Sequence, residues 1–267
     1  MVTRVTPFGR LTFDRDAIVR AALRAHVEDA VAQLPNRLGI HSVDQGVWTG
    51  NLQRGTLYND NGSGDYEVIA WIEGGVVGLA HELGWGPISQ LGLTPETVTG
   101  GVEDVRGAVP GLPDELEPAF LMAAGKLETR ADVQNGVFYR ERMAGVGFWL
   151  HSDCVGGSFF VDRMANGADR LAAWGSLEGN RLPGVWCGQV QPFTPDPPLI
   201  VPIQAVIDAV TDRAWKGPTE FTPDELATIC PTPPEPKRLE YARYRLQQVG
   251  VRWPGLPDVL EEPLYPG

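Results

Sequence analysis

The sequence predicts an α+β fold, with antiparallel β-meanders packed against several helices and a C-terminal helix docked on the main body. Apolar residues alternate over strand-length runs, glycine-containing dipeptides separate these runs, and the helical patterns are grouped rather than alternating with strands. A chain of 267 residues, 43% of them hydrophobic, can bury a sizeable core. We assign residues 1–229 to a main domain, and residues 230–267 to a proline-rich link and a helical appendage.

The first predicted element is a helix at residues 15–34. Asp14 is a favourable N-cap residue, and Phe13 and Ile18 have the spacing of a hydrophobic staple. An apolar stripe at helical spacing follows and comprises Val19, Leu23, Val27, Ala30, Val31 and Leu34.

A β region is predicted from residue 46 to residue 83. Residues 66–71 carry apolar side chains on both alternating sets, which is typical of a central strand covered on both faces. The preceding turn, "NDNGSGD", resembles a calcium loop in composition only. Counted from Asn59, its twelfth position is Ala70, which cannot supply the carboxylate that an EF-hand requires. The segment is therefore interpreted as a β-hairpin turn and not as a metal site.

Helices and a second β region make up the remaining elements. A short helix is predicted to begin after Thr94, a longer one lies within residues 112–128, and the β region covers residues 135–164. Residues 203–215 form an amphipathic helical pattern. Thr222 and Glu225 match a capping box, and a last helix is predicted at residues 237–249.

An internal duplication is suggested by two similar segments, near residues 54–90 and 134–165. "GVVGLAHE" begins at Gly75 and "GVGFWLHS" begins at Gly145, and each has a histidine six residues after the glycine. In a duplicated unit His81 and His151 would occupy equivalent places.

Charge and motif content exclude several classes of protein. With 34 acidic and 22 basic residues the net charge is −12, which opposes nucleic-acid binding. No apolar run is long enough to span a bilayer and no signal-peptide pattern is present, so we expect a bacterial-type cytoplasmic protein. Three cysteines without a CxxC pair predict neither a disulfide framework nor a cysteine-rich zinc site. No cofactor is predicted, because no nucleotide-binding glycine motif occurs.

One candidate site is catalytic, and it includes His81, His151, Asp153 and Cys154. His151 and Asp153 share a face of a continuous strand, so the carboxylate could orient the imidazole for acid–base chemistry in a hydrolase. Cys154 would face the opposite way unless the chain turns at Ser152. A shared site requires the two imidazoles to lie within about 10 Å of each other. The alternative is that these are ordinary polar residues at strand ends.

The leading hypothesis is an acidic protein-binding domain, such as an immunity or antitoxin-type inhibitor of a basic partner protein. The predicted partner-binding residues are Asp60, Asp65, Glu73, Glu82 and Trp85. A third hypothesis is a structural component of a larger assembly. Residues 237–252 contain five basic residues and one acidic residue, and this basic helix would bind either the acidic main body or an anionic partner.

Overall fold

A central antiparallel sheet with helices on both faces organises the chain. The computed structural model describes residues 1–6, 9–32, 34, 47–60, 64–82, 86–160 and 197–263. The predicted α+β class is confirmed within these residues. Across the same ranges, no helix has both the length and the apolar composition that a bilayer crossing requires.

Six strands form the central sheet: β3 (Val47–Gly50), β4 (Gly55–Asp60), β5 (Tyr66–Ile72), β6 (Gly75–His81), β9 (Val146–His151) and β10 (Cys154–Gly156). Their spatial order is β10-β9-β6-β5-β4-β3, and every neighbouring pair is antiparallel. Three two-stranded sheets accompany it: β1 (Val2–Thr6) with β2 (Gly9–Phe13), β7 (Thr129–Gln134) with β8 (Val137–Arg142), and β11 (Thr219–Glu220) with β12 (Val251–Arg252).

The helices are divided between the two faces of the central sheet. The α-helices are α1 (Arg15–Ala32), α2 (Pro87–Gln90), α3 (Glu117–Lys126), α4 (Pro197–Ala214), α5 (Pro223–Ile229) and α6 (Pro236–Gln247). Short 3₁₀ helices cover Val102–Ala108, Asp114–Leu116 and Ser158–Phe160. One core contains α1, α4 and α6, and a second core on the opposite face contains α3 and the first two 3₁₀ helices.

Strand alternation explains why β5 is apolar at nearly every position. Ile69 and Trp71 pack in the α1 core, whereas Val68 and Ala70 pack in the α3 core. Successive side chains of a strand point to opposite faces, so a strand covered on both faces needs apolar residues in both sets. The predicted central strand is therefore confirmed.

The predicted short helix after Thr94 is wrong, because the chain makes only one turn there. The amide groups of Thr97 and Val98 donate to the carbonyl oxygen of Thr94 at 2.9 and 3.0 Å. Gly100 then adopts a φ of 75°, which is incompatible with continuing a right-handed helix.

The capping box predicted at α5 is present. Thr222 Oγ1 accepts the Glu225 amide at 3.2 Å, and the Glu225 carboxylate accepts the Thr222 amide at 2.8 Å. We expect Thr222→Ala to lower the free energy of unfolding by about 1 kcal/mol, because it leaves a helix N-terminal amide without its cap. Thr228→Ala in the same helix is the matched control and should change it by less than about 0.5 kcal/mol in urea unfolding. Equal effects would contradict a capping role.

The C-terminal helix α6 docks on α1, as the fold prediction required. Ala242 and Leu246 are fully buried in the α1 core. Arg245 lies 2.9 Å from the Asp29 carboxylate, so its charge is used inside the chain. This contact weakens the hypothesis that α6 is a basic docking element for a larger assembly. The boundary between residues 229 and 230 stays a prediction.

Candidate functional site

The central sheet has two ends, and polar residues collect at both. At the first end, β5 begins at Tyr66, which lies opposite Asp60 of β4 and His81 of β6. The β7–β8 hairpin projects from this end, and we call it the arm; the end itself is the arm end. At the second end, β5 runs into the turn that contains Glu73, and Gly75 of β6 lies opposite His151 of β9. We call this the turn end.

Stacked aromatic side chains occupy the arm end. The ring centroids of Tyr58 and Tyr66 are 5.4 Å apart, and those of Tyr66 and His81 are 5.1 Å apart. The Tyr66 hydroxyl donates to the carbonyl oxygen of Met143 at 2.6 Å, and the Tyr58 hydroxyl donates to Asp60 at 2.9 Å. The row of rings thus holds one acidic side chain, that of Asp60.

Both tyrosine hydroxyls at the arm end are held in the protonated form. Burial raises the pKa of Tyr58, and the negative charge of Asp60 raises it further. Burial also raises the pKa of Tyr66, with an added contribution from Glu128. The hydroxyls therefore remain hydrogen-bond donors at neutral pH.

The arm is anchored firmly at its base. Arg142 donates to the carbonyl oxygens of Gly100, Ala124 and Leu127 at 3.1, 2.8 and 3.1 Å. Next to it, the Glu141 carboxylate accepts the Ile88 amide at 2.6 Å. The base is thus joined to three different segments of the α3 side of the molecule.

The tip of the arm exposes an apolar pair. Val133 and Phe138 lie directly opposite each other in the register and are 60% and 64% exposed. Asn135 and Gly136 connect the strands with φ values of 52° and 81°, as a type I′ hairpin turn requires. Cross-strand partners share a face, so the two side chains form one continuous patch.

Negative charge is concentrated in the chain segment that builds the sheet and its α3 side. Residues 47–128 contain three basic and twelve acidic residues, a net charge of −9 out of −12 for the whole chain. Glu128, at the base of the arm, is exposed. This segment supplies acidic residues to both ends of the sheet, and those at the arm end are Asp60, Asp65, Glu82 and Glu128.

The predicted partner-binding residues are divided between the two ends of the sheet. Asp60, Asp65 and Glu82 lie at the arm end, because they flank the Tyr66 and His81 positions. Glu73 is exposed in the β5–β6 turn at the turn end. Trp85 lies outside the described residues.

The predicted catalytic site shared by His81 and His151 does not form. The two strands are adjacent, as the hypothesis required, but they are antiparallel and Gly75 lies opposite His151. His81 is at the other end of the seven-residue strand β6, which separates the histidines by about 20 Å. Because β6 and β9 run in opposite directions, histidines at matching positions of the two strands lie at opposite ends of the sheet. The internal duplication itself stays a prediction, and parts of both segments lie outside the described residues.

The grouping of His151 with Asp153 is also wrong, and Cys154 takes the place of Asp153. Ser152 and Asp153 form a two-residue turn, with a φ of 51° at Ser152, and Cys154 lies opposite His151. Cross-strand partners share a face, so the thiol is the neighbour of the imidazole. Asp153 is exposed in the turn and lies 3.8 Å from the Met1 amino nitrogen.

Sequence reasoning missed the arm residues and Glu115. The Asn135–Gly136 dipeptide flanked by Val133 and Phe138 is a hairpin signal that could have revealed the tip. Glu115, 3.9 Å from His151, approaches through tertiary packing and carries no local signal. In the described parts of the chain, no three His, Cys, Asp or Glu side chains are grouped to hold a metal ion. Comparisons of the chain with protein-family models, curated proteins and solved structures find no match.

Proposed function

We propose that this chain is a cytoplasmic protein-binding domain of the immunity or antitoxin type, which inhibits a basic partner protein by binding it at the arm end. The observation that carries the proposal is the exposed pair of Val133 and Phe138 on an arm with an anchored base. Isolated two-stranded ribbons are marginally stable in water, so an arm of this kind is well suited to being covered by a partner.

The two kinds of residue at the arm end would have different roles in binding. Carboxylates attract a basic partner over long distances and raise the association rate. Aromatic side chains that enter a pocket of the partner supply most of the affinity. Asp60, Asp65, Glu82 and Glu128 would provide the first contribution, and Phe138 would provide the second.

The net charge of the arm does not oppose a basic partner strongly. Arg130 lies 3.6 Å from Asp132, and Arg142 is engaged with carbonyl oxygens at the base. Arg140 is exposed, and it would be placed at the rim beside the apolar patch. A rim arginine next to an aromatic anchor is a common composition of binding surfaces.

Affinity purification of the tagged full-length chain from its producing organism tests the proposal. We expect the native chain to recover a basic protein in about equimolar amount. We expect Phe138→Asp to lose this partner, because a charge replaces the aromatic side chain that the complex would bury. Val201→Asp is the matched control. Val201 is 63% exposed on α4, close to the 64% of Phe138, and its substitution should leave recovery unchanged.

Two outcomes would contradict the proposal. One is that the native chain recovers no equimolar partner. The other is that Phe138→Asp and Val201→Asp recover the same partner equally, which would place the binding surface elsewhere. Thermal unfolding of each variant establishes that neither substitution acts by unfolding the chain.

A further inference from the structure

The turn end brings a thiol, an imidazole and a carboxylate together on one face of the sheet. The tight turn at Ser152 and Asp153 sets Cys154 opposite His151, and directly opposed residues have Cβ atoms about 4.5–5.5 Å apart. Cys154 is a free, exposed cysteine. The thiol is therefore accessible to reagents and adjacent to a base.

Gly75 is a point of close packing beside His151. It lies opposite His151 on β6, and a Cβ atom at this position would be 2.0 Å from the Leu150 carbonyl oxygen and 2.9 Å from Leu116 Cδ2. The absence of a side chain lets the 3₁₀ helix Asp114–Leu116 pack closely on β6. Glu115 of that helix places Oε2 at 3.9 Å from His151 Nδ1. This distance is too long for a hydrogen bond, but the negative charge favours a proton on Nδ1 and leaves Nε2 to accept one.

We propose that Cys154 is a thiol–disulfide exchange site, with His151 as its proton acceptor and Glu115 as a residue that positions the imidazole. In the reaction, the Cys154 Sγ–S bond forms as the S–S bond of a small disulfide breaks. The thiol proton passes to His151 Nε2 and then to the departing thiolate. The disulfide is itself the oxidant, so the reaction is balanced without any other co-reactant.

The charge around the site indicates which disulfides react. Asp114 precedes Glu115 in the same 3₁₀ helix, Glu73 lies in the turn before Gly75, and Asp153, which precedes Cys154, lies 3.8 Å from the Met1 amino nitrogen. All three side chains are exposed. Carboxylates on this side attract cationic reagents and repel anionic ones. The structure therefore assigns cationic disulfides as the preferred class.

Cys230 provides an internal comparison in the same chain. It packs against the α1 core, and burial raises the pKa of its thiol to about 11. A half-buried thiol with a raised pKa reacts slowly at neutral pH because the thiolate is the nucleophile. Cys154 and Cys230 should therefore have clearly different rates of disulfide exchange.

Exchange rates at each cysteine of the full-length protein test the proposal. The probes are cystamine, which is cationic, oxidised glutathione, which is anionic, and neutral dithiodipyridine, with each modified peptide quantified by mass spectrometry. At neutral pH we expect Cys154 to react at least about tenfold faster than Cys230. We also expect cystamine to modify Cys154 roughly tenfold faster than oxidised glutathione does.

Variants separate the proton acceptor from the residue that positions it. His151→Gln should slow the reaction of Cys154 with dithiodipyridine by roughly tenfold, at the low end for a general base because the pair is partly exposed. Glu115→Gln should slow it by a smaller factor in the native background, and should have no further effect when His151 is already replaced. Glu220→Gln, an exposed carboxylate on β11, is the control that should leave the rate unchanged.

Three results would overturn the proposal. These are equal rates at Cys154 and Cys230, an unchanged rate in His151→Gln, and independent effects of the His151 and Glu115 substitutions. Equal rates with cystamine and oxidised glutathione would overturn the assigned class of disulfide. The site lies at the end of the sheet opposite the arm, so its failure would leave the proposed protein-binding function untouched.

Discussion

Replacing Arg245 by alanine is expected to lower the free energy of unfolding by about 3–5 kcal/mol, because it leaves the Asp29 carboxylate as a buried charge that has lost its cation. Both residues are almost completely buried, at 5% and 4% exposure. The Arg245 guanidinium lies 2.9 Å from the Asp29 carboxylate and also donates to the Tyr241 hydroxyl at 3.0 Å. The substitution therefore removes an ion pair between α6 and α1 together with a hydrogen bond within α6.

His26 completes this buried network. Its Nε2 lies 2.8 Å from the carbonyl oxygen of Arg245, and its Nδ1 lies 3.2 Å from the Arg245 guanidinium. A carbonyl oxygen can only accept and a guanidinium can only donate, so the neutral tautomer with the proton on Nε2 satisfies both contacts. Arg245→Ala keeps the backbone carbonyl that His26 Nε2 contacts but removes the guanidinium donor to His26 Nδ1, which adds to the expected destabilisation.

Urea unfolding followed by circular dichroism measures this effect. The informative comparison is a double variant, Asp29→Leu with Arg245→Met, which replaces the ion pair by apolar side chains of similar size. It should recover most of the stability lost in Arg245→Ala, because no buried charge remains. A cost below about 1 kcal/mol for Arg245→Ala would show that α6 is not held by this pair.

The second large effect concerns binding. Phe138→Ala is expected to weaken the complex with the basic partner about thirtyfold, which corresponds to about 2 kcal/mol, because aromatic anchors dominate interface energies. The side chain is 64% exposed in the free chain, so its removal should leave the unfolding transition unchanged.

Isothermal titration calorimetry with the purified partner measures this loss. Val201→Ala is the control, since it removes an equally exposed apolar side chain on α4 and should not alter the affinity. A loss that is equal in both variants, or an unaltered affinity in Phe138→Ala, would remove the arm tip from the interface.

Local patterns in the sequence predicted the elements whose stability is local. The capping box at Thr222 and the burial of β5 on both faces, with Val68 and Ala70 on one and Ile69 and Trp71 on the other, follow from neighbouring residues, and both predictions are confirmed. The concentration of acidic residues in positions 47–128 can likewise be counted from the sequence.

The predicted catalytic site failed because it depended on how strands meet. The alternation of side chains predicts which face each residue occupies only within one continuous strand. The two-residue turn at Ser152 and Asp153 starts a new strand and places Cys154 opposite His151. The sequence also does not indicate whether two adjacent strands pair in a parallel or an antiparallel direction. The antiparallel pairing of β6 with β9 separates His81 from His151. The pairing of β1 with β2 before α1 was not predicted.

Hydrogen–deuterium exchange of the chain with and without its partner tests the proposed binding surface most directly. Peptides covering the arm, β7 and β8, should gain the largest protection in the complex, together with those covering the β4–β5 side of the arm end. Peptides from the turn end, around Glu115 and His151, should exchange at the same rate in both samples. Protection confined to the turn end, with an unchanged arm, would contradict the proposal that the partner binds at the arm end.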